Sequence, residues 1–269
     1  MLRILFNLGP INIYSYGLML ALAFLSGMYL IEKRARKQGL NKNKILDLVF
    51  LILFSAILGA RALFVILNWD YYRSDLIGIL KVWEGGLVFY GGLILAFFAS
   101  VWFLKKNKLS FWKTADILSP ALALGEVFGR IGCFLNGCCY GLISEKWGIS
   151  FPARDNPPAF SQQVFDGLIS PAARCSLPVI PTQIYSALAG LAIFCILLVL
   201  EKKKSFDGFL FWVFILLYSL FRFVIESFRY YEKNFFVLNN LTISQVISIV
   251  LVIISLVFLV KGKKQAENR

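Results

Sequence analysis

Seven apolar stretches, each about 18 to 22 residues long, constrain this chain more than any other feature. They fall near 13–31, 47–67, 87–104, 115–136, 183–200, 208–227 and 241–260. At about 1.5 Å per residue each is long enough to cross a hydrocarbon core of roughly 30 Å as a helix. Hydrophobic residues make up 59% of the chain and charged residues 16%, against about 45–50% and 25% in soluble domains. The pattern predicts an all-α polytopic membrane protein with about seven transmembrane helices. The fourth stretch is the weakest, because Asp116, Pro120, Glu126 and Arg130 interrupt it.

The charges supply an orientation. Lysines and arginines cluster after the first, third and fifth stretches and at the C-terminus, in the runs 33–44, 105–113, 202–204 and 261–269, seventeen in all. The alternate loops hold eight, spread over longer segments. That asymmetry is the positive-inside pattern and predicts an outside N-terminus and a cytoplasmic C-terminus. It also accounts for the net charge of +13 without nucleic acid, and anionic membrane lipid is the expected partner of the basic side. The first stretch lacks a charged leader and a small-residue cleavage site, so it reads as a retained span. No internal repeat or low-complexity linker appears, and residues 1–269 read as a single integral membrane domain. The long outer loops, 68–86 and 141–182, are rich in Trp, Tyr and Pro and predict a small extracytoplasmic cap.

Polar residues inside the spans are the candidates for function. Arg61, Arg130 and Arg222 each sit in or at the lip of an apolar stretch. An arginine near the bilayer centre costs at least about 2.5–3.5 kcal/mol on insertion scales, so each needs a partner or a task. For Arg61 a packing role and a binding role are equally open. In YSLFRFVIESFR (218–229), Tyr218, Arg222, Glu226 and Arg229 follow one another at four, four and three residues, which places them on one helical face. Such a stripe looks into the protein or a wet cavity, and two arginines with one carboxylate suit a phosphate, which arginine holds bidentately.

The segment GEVFGRIGCFLNGCCYG (125–141) carries five glycines, which predicts close packing, a turn or a broken helix. Arg130 and Asn136 there stand beside backbone amides that could receive an anion. Tyr90, followed by Gly91 and Gly92, is a second glycine-flanked element. The chain has no histidine, so imidazole bases and His-based metal sites are excluded. Three of its five cysteines, Cys133, Cys138 and Cys139, lack a fourth nearby ligand, make a poor zinc site and read as small packing residues. No motif implies a metal or an organic cofactor.

With these residues in place, SYGLML (15–20), GARALF (59–64), GLVFYGGLI (86–94), GRIGCFLNGCCYG (129–141), PTQIYSALAG (181–190) and LFRFVIESFR (220–229) together resemble the prolipoprotein diacylglyceryl transferase family, in order and along nearly the whole chain. The resemblance implies transfer of the diacylglyceryl group of phosphatidylglycerol to the lipobox cysteine of a prolipoprotein peptide, with release of glycerol phosphate. The location it implies is the outer face of the bacterial cytoplasmic (inner) membrane. It also implies that Arg130, Asn136 and Gly141 lie on the family signature, Arg222 and Glu226 on the essential C-terminal pair, Tyr218 beside them and Tyr16 on the first-span tyrosine. Where the family carries a glycine-flanked histidine this chain has Tyr90, and Cys133 and Cys138 stand where an asparagine and an acidic residue are familiar.

The expected catalytic set is therefore Arg130, Arg222, Glu226 and Tyr90, with Tyr90 or Glu226 as the thiol's proton acceptor. Tyr16, Arg61, Gly91, Gly92, Asn136, Gly141, Tyr218 and Arg229 are expected to bind substrate. A catalytically altered paralogue, or a relative that binds lipid and uses a different acceptor, is the alternative. A lipid or anion transporter would be expected to show an internal repeat.

Overall fold

A computed structural model describes residues 3–8, 11–230, 236–237 and 241–267. Lys233 and Arg269, two of the basic residues counted above, lie outside these. Within them, seven helices are long and apolar enough to cross a membrane: α1 (Ser15–Lys37), α2 (Lys42–Leu67), α4 (Phe89–Lys106), α5 (Phe111–Asn136), α7 (Thr182–Leu200), α8 (Phe209–Glu226) and α9 (Ile243–Glu267). Each coincides with a predicted stretch. Several outrun it: α1 continues through its basic last turn, where Arg34, Arg36 and Lys37 meet the negative end of the helix dipole. Large apolar side chains stay exposed along all seven, from Leu25 and Phe54 to Leu188 and Ile253. Water would penalise that surface, whereas lipid accepts it.

Residues 30–114 form one compact unit. The side chain of Asn41 caps α2 by accepting from the amides of Asn43 and Lys44 at 3.0 and 3.3 Å. α2 and α4 then pack backbone to backbone. A Cβ added at Gly59 would collide with the Gly91 carbonyl and one added at Gly91 with the Gly59 carbonyl, while one at Gly92 would lie 2.7 Å from the Ala56 carbonyl oxygen. Small residues permit this approach where two helices have only dispersion and close packing to hold them. The connection from α2 to α4 folds into the short helix α3 (Trp69–Tyr72) and two 3-10 turns, Gly78–Leu80 and Val82–Glu84.

Residues 1–29 and 115–269 form the other unit. It opens with an antiparallel hairpin of β1 (Ile4–Leu8) and β2 (Ile11–Tyr14) that feeds directly into α1. Ala123 of α5, Ile193 and Leu197 of α7, and Leu210, Val213 and Phe214 of α8 make its apolar core. Trp212 of α8 stacks on Phe258 of α9 with ring centroids 4.4 Å apart. The fully buried Asp116 of α5 explains the acid in the weak fourth stretch. Its carboxylate accepts from the amides of Gly208 and Phe211 at 2.7 and 3.0 Å, capping α8 from a neighbouring helix, and pairs with Lys204 at 3.0 Å.

The segment between α5 and α7 carries the helix α6 (Pro158–Phe165) and a small core of Phe151, Ala159 and Val179. β3 (Phe236–Val237) and β4 (Leu241–Thr242) pair just before α9.

Candidate active site

α5 runs unbroken through Gly125, Gly129 and Gly132 and ends only at Gly137, so the glycine-rich segment is one helix and a cap rather than a broken helix. Gly137 adopts φ 74°, which a glycine tolerates without strain. The amide of Cys138 then bonds the Cys133 carbonyl at 3.1 Å and the amide of Gly137 bonds that of Phe134 at 3.2 Å, the paired bonds of a Schellman cap. Gly132 makes room for the first helix: an added Cβ would lie 3.0 Å from Tyr16 Cδ2 and 3.2 Å from Met19 Cβ.

Beyond the cap the chain threads between the start of α7 and the end of α8. The Gln183 amide donates to the Cys138 carbonyl at 2.7 Å, the Thr182 hydroxyl to that of Cys139 at 2.8 Å, and the Leu142 amide to the Phe228 carbonyl at 2.9 Å. Gly141 lies at the tightest point. A Cβ there would sit 2.5 Å from the Phe228 carbonyl oxygen and 2.8 Å from Thr182 Cγ2, and Gly141 bridges Arg229 in antiparallel fashion. Its role in the structure is packing, which sets the position of Arg229.

Arg130 gives Nε to Glu126 Oε1 at 2.7 Å, one turn earlier on α5. Arg222 of α8 meets Glu226 Oε2 at 3.0 Å, and Arg229, just past the end of that helix, meets the same oxygen at 3.7 Å. The Glu226 side chain is 1% exposed, and its other oxygen accepts from the Thr242 hydroxyl at 3.1 Å. Thr242 is itself fixed: its hydroxyl accepts from the Gln245 amide at 3.3 Å while Gln245 Oε1 accepts from the Thr242 amide at 3.0 Å. This reciprocal capping box starts α9 and holds the carboxylate at the same time. Arg222 also donates to Ser244 at 3.3 Å.

Tyr218 stands between the two ion pairs. Its hydroxyl is within hydrogen-bonding reach of Arg130 and feels the charges of Glu126 and Arg222. Tyr16 faces Arg130 and the three thiols from α1. Asn136 Oδ1 accepts from Arg3 Nε at 3.0 Å, and Arg3 also holds the carbonyls of Asp155 and Asn156 at 2.8 and 3.0 Å. The structure thus gathers Tyr16, Arg130, Asn136, Gly141, Tyr218, Arg222, Glu226 and Arg229 within one unit.

Cys133, Cys138 and Cys139, expected to pack in apolar surroundings, lie with their sulfurs within 4.8 Å of one another. Arg229 and Arg130 act on Cys139, whose thiol is held well below the usual thiol range by hydrogen bonds from Cys133 and Cys138, with the two guanidiniums adding to the effect. The neighbouring Tyr140 stacks on Tyr230, and burial pushes its phenol up to about 12, with Tyr230 and the Asp166 carboxylate contributing.

Three sequence-predicted residues belong to the other unit's packing. Arg61 is 5% exposed and donates to four backbone carbonyls, those of Gly78, Ile79, Gly85 and Gly86, at 2.6 to 3.1 Å, with its guanidinium over the rings of Phe64 and Tyr72. Of the two roles open for it, this is the packing one. Gly91 and Gly92 are the α2–α4 contact described above. Tyr90, in the first turn of α4, is half exposed and lies edge-on to Phe89.

Sequence reasoning missed Glu126, Thr242, Ser244, Gln245 and Arg3 as supports of this site. Glu126 and Arg130 stand at i and i+4, and TISQ (242–245) ahead of an apolar run is a capping-box signature, so two of these signals were present. Arg3 and Asn136 are 133 residues apart and left no local trace.

Val127, Arg130, Ile131 and Phe134 of α5 and Gln183, Ile184, Ala187, Leu188 and Leu191 of α7 line a groove of about 240 Å³. It is apolar along its length and meets Arg130.

The fold and the site define a multi-pass α-helical membrane protein in which two carboxylates, Glu226 buried and Glu126 half-buried, pair with a cluster of arginines beside an apolar groove. The chain belongs to the prolipoprotein diacylglyceryl transferase family, whose model matches residues 3–261. It is similar to the phosphatidylglycerol–prolipoprotein diacylglyceryl transferase of Bacillus licheniformis, with 36% identity over 252 residues, 93% of this chain and 88% of that protein. The proteins of the same name from Bacillus velezensis and Bacillus mycoides are 34% identical over 270 and 271 residues, each covering 99% of this chain and 94% and 95% of theirs.

Proposed function

We propose that this chain moves the diacylglyceryl group of phosphatidylglycerol onto the lipobox cysteine thiol of a prolipoprotein, the first step of lipoprotein maturation. The observation that carries the reading is the buried Glu226 carboxylate between Arg222 and Arg229, with the Arg130–Glu126 pair in the same unit, in a member of this family. The orientation that goes with it has the N-terminus outside, the C-terminus in the cytoplasm and the long loops as an extracytoplasmic cap, all in a single membrane domain of the bacterial inner membrane. The positive-inside charge pattern supports that orientation.

The nucleophile belongs to the peptide. Its sulfur attacks the glyceryl carbon that carries the phosphate, a C–S bond forms, and the C–O bond to phosphate breaks with its electron pair leaving on glycerol phosphate. Arg130 and Arg222 hold the phosphate and stabilise the charge that develops on the leaving oxygen, and Arg229 supports them. The groove between α5 and α7 is suited to apolar chain beside Arg130. Tyr16 and Asn136 line the thiol side. Glu226 positions the two arginines rather than taking the thiol proton, because its side chain is buried, with Oε1 accepting from Thr242 and Oε2 lying against both guanidiniums. Tyr90 is then the proton acceptor to test.

The experiment is a purified chain in detergent with phosphatidylglycerol and a lipobox peptide, following peptide mass and glycerol phosphate, with Arg222→Ala alongside. A diacylglyceryl mass shift that the variant loses, at unchanged expression, is expected. Normal turnover by Arg222→Ala sinks the assignment.

A further inference from the structure

The sequence spaces three of its five cysteines as one residue in α5 and an adjacent pair five and six positions later. The left-handed cap at Gly137 folds that spacing into a cluster. Its paired bonds return Cys138 over Cys133, and Cys139, itself at φ 59°, is fixed through its carbonyl by Thr182 as Cys138 is by Gln183. The three sulfurs therefore sit on a braced backbone, half-buried and within 4.8 Å of one another.

We propose that Cys133, Cys138 and Cys139 form a three-thiolate binding site for a soft monovalent cation of the copper(I) class. Sulfurs bonded at about 2.3 Å around a trigonal ion lie about 4 Å apart, so small side-chain rotations close the set around one ion. Among the described residues no fourth thiol or carboxylate joins the group, which disfavours tetrahedral zinc and fits an ion content with three soft ligands. Copper(I) replaces three thiol protons, which pass to the buffer, and the complex carries two negative charges. Arg130 and Arg229 lie close enough to the cluster to offset them. No redox step is involved, and the inference does not depend on the transferase reading.

The test uses the full chain carrying Cys175→Ser and Cys195→Ser, which removes the two exposed thiols outside the cluster. Copper(I), supplied anaerobically as its acetonitrile complex, is titrated against a chromogenic copper(I) chelator, and maleimide labelling read by mass spectrometry counts the protected thiols. One copper per chain retained against the chelator, three thiols protected together, and X-ray absorption showing three sulfur neighbours are expected, with affinity at least tenfold lower in Cys133→Ser. Protection of none or only two thiols, or copper retained unchanged by Cys133→Ser, overturns the proposal. If Cys133→Ser does not elute as folded protein, the protection pattern in the parent chain decides alone.

Discussion

Replacing Glu226 by glutamine separates a positioning carboxylate from a catalytic base. Glutamine keeps the shape and an oxygen for the Thr242 hydroxyl, but it removes the charge that faces Arg222 at 3.0 Å and Arg229 at 3.7 Å from a side chain 1% exposed. At an effective dielectric of about 20, contacts of this length are worth roughly 5 kcal/mol each in gross attraction. Removing one partner from a buried pair costs about 3–5 kcal/mol once desolvation and relaxation are included. At about 1.36 kcal/mol per tenfold, a loss felt wholly in the transition state slows lipidation by about two to four orders of magnitude. The assay is initial-rate lipidation of a lipobox peptide from pH 6 to pH 9, with thermal unfolding in detergent as the control for folding. If Glu226 only positions the arginines, the deficit stays constant across that range. If it takes the thiol proton, activity returns as pH rises through about 8.5, where a free thiol ionises unaided. A rate within tenfold of the parent chain at neutral pH, or rescue at high pH, refutes the positioning argument.

Tyr90→Phe is expected to lower lipidation at least a hundredfold, within the range of about 10²–10⁴ that a positioned proton acceptor contributes, and an unchanged rate removes the phenol from the mechanism. Gly141→Ala places a methyl 2.5 Å from the Phe228 carbonyl oxygen and is expected to destabilise the chain by about 1–3 kcal/mol, read as a lower melting temperature in detergent together with lost activity; an unshifted melt contradicts the packing role. Lys204 is paired with Asp207 and Asp116, and their hydrogen bonds and charge raise its ammonium above the ordinary 10.5 although burial opposes them. Because the folded value is the higher one, the stabilisation is complete below 10.5 and is lost as pH rises through the folded value, and Asp116→Asn is expected to flatten that alkaline loss in a pH series of melts.

The spans were legible because each is a long apolar run, and the bilayer demands nothing finer than length and hydropathy. The stripe from Tyr218 to Glu226 was legible for a similar reason, since helical periodicity puts those residues on one face, whereas Arg229 lies past the end of α8, where the chain bridges Gly141. What periodicity could not give is the partner of each charge. Arg61 and Arg222 look alike in sequence, an arginine in an apolar helix, yet Arg61 is satisfied by carbonyls of a loop some 20 residues on and Arg222 by a carboxylate one turn away. The glycines of 125–141 also look alike, and only Gly137 breaks the helix: Gly132 admits Tyr16, while an added Cβ at Gly125 or Gly129 would meet nothing. Gly91 and Gly92 read as part of a binding element because they flank Tyr90, but what they touch is the backbone of α2. In each case the deciding contact is tertiary.

The distribution of charge in the site explains why arginine and glutamate occur there together. Arg130, Arg222 and Arg229 carry three positive charges and Glu126 and Glu226 two negative ones, and each guanidinium lies 2.7 to 3.7 Å from a carboxylate oxygen. The reaction needs both properties. A peptide thiolate and a phosphodiester bring one negative charge each and repel one another on approach, and at the end both charges sit on the departing phosphate monoester. Arginines left unpaired would bind the phosphodiester tightly but swing with it, which favours the ground state as much as the transition state. Guanidiniums paired with carboxylates lose some of that freedom. Each has five N–H donors, and in the mechanism proposed above those not committed to a carboxylate meet the charge that develops on the leaving oxygen. In the proposed mechanism the carboxylates would therefore weaken the attraction for lipid headgroups in general and sharpen it for the one arrangement in which the C–O bond is breaking.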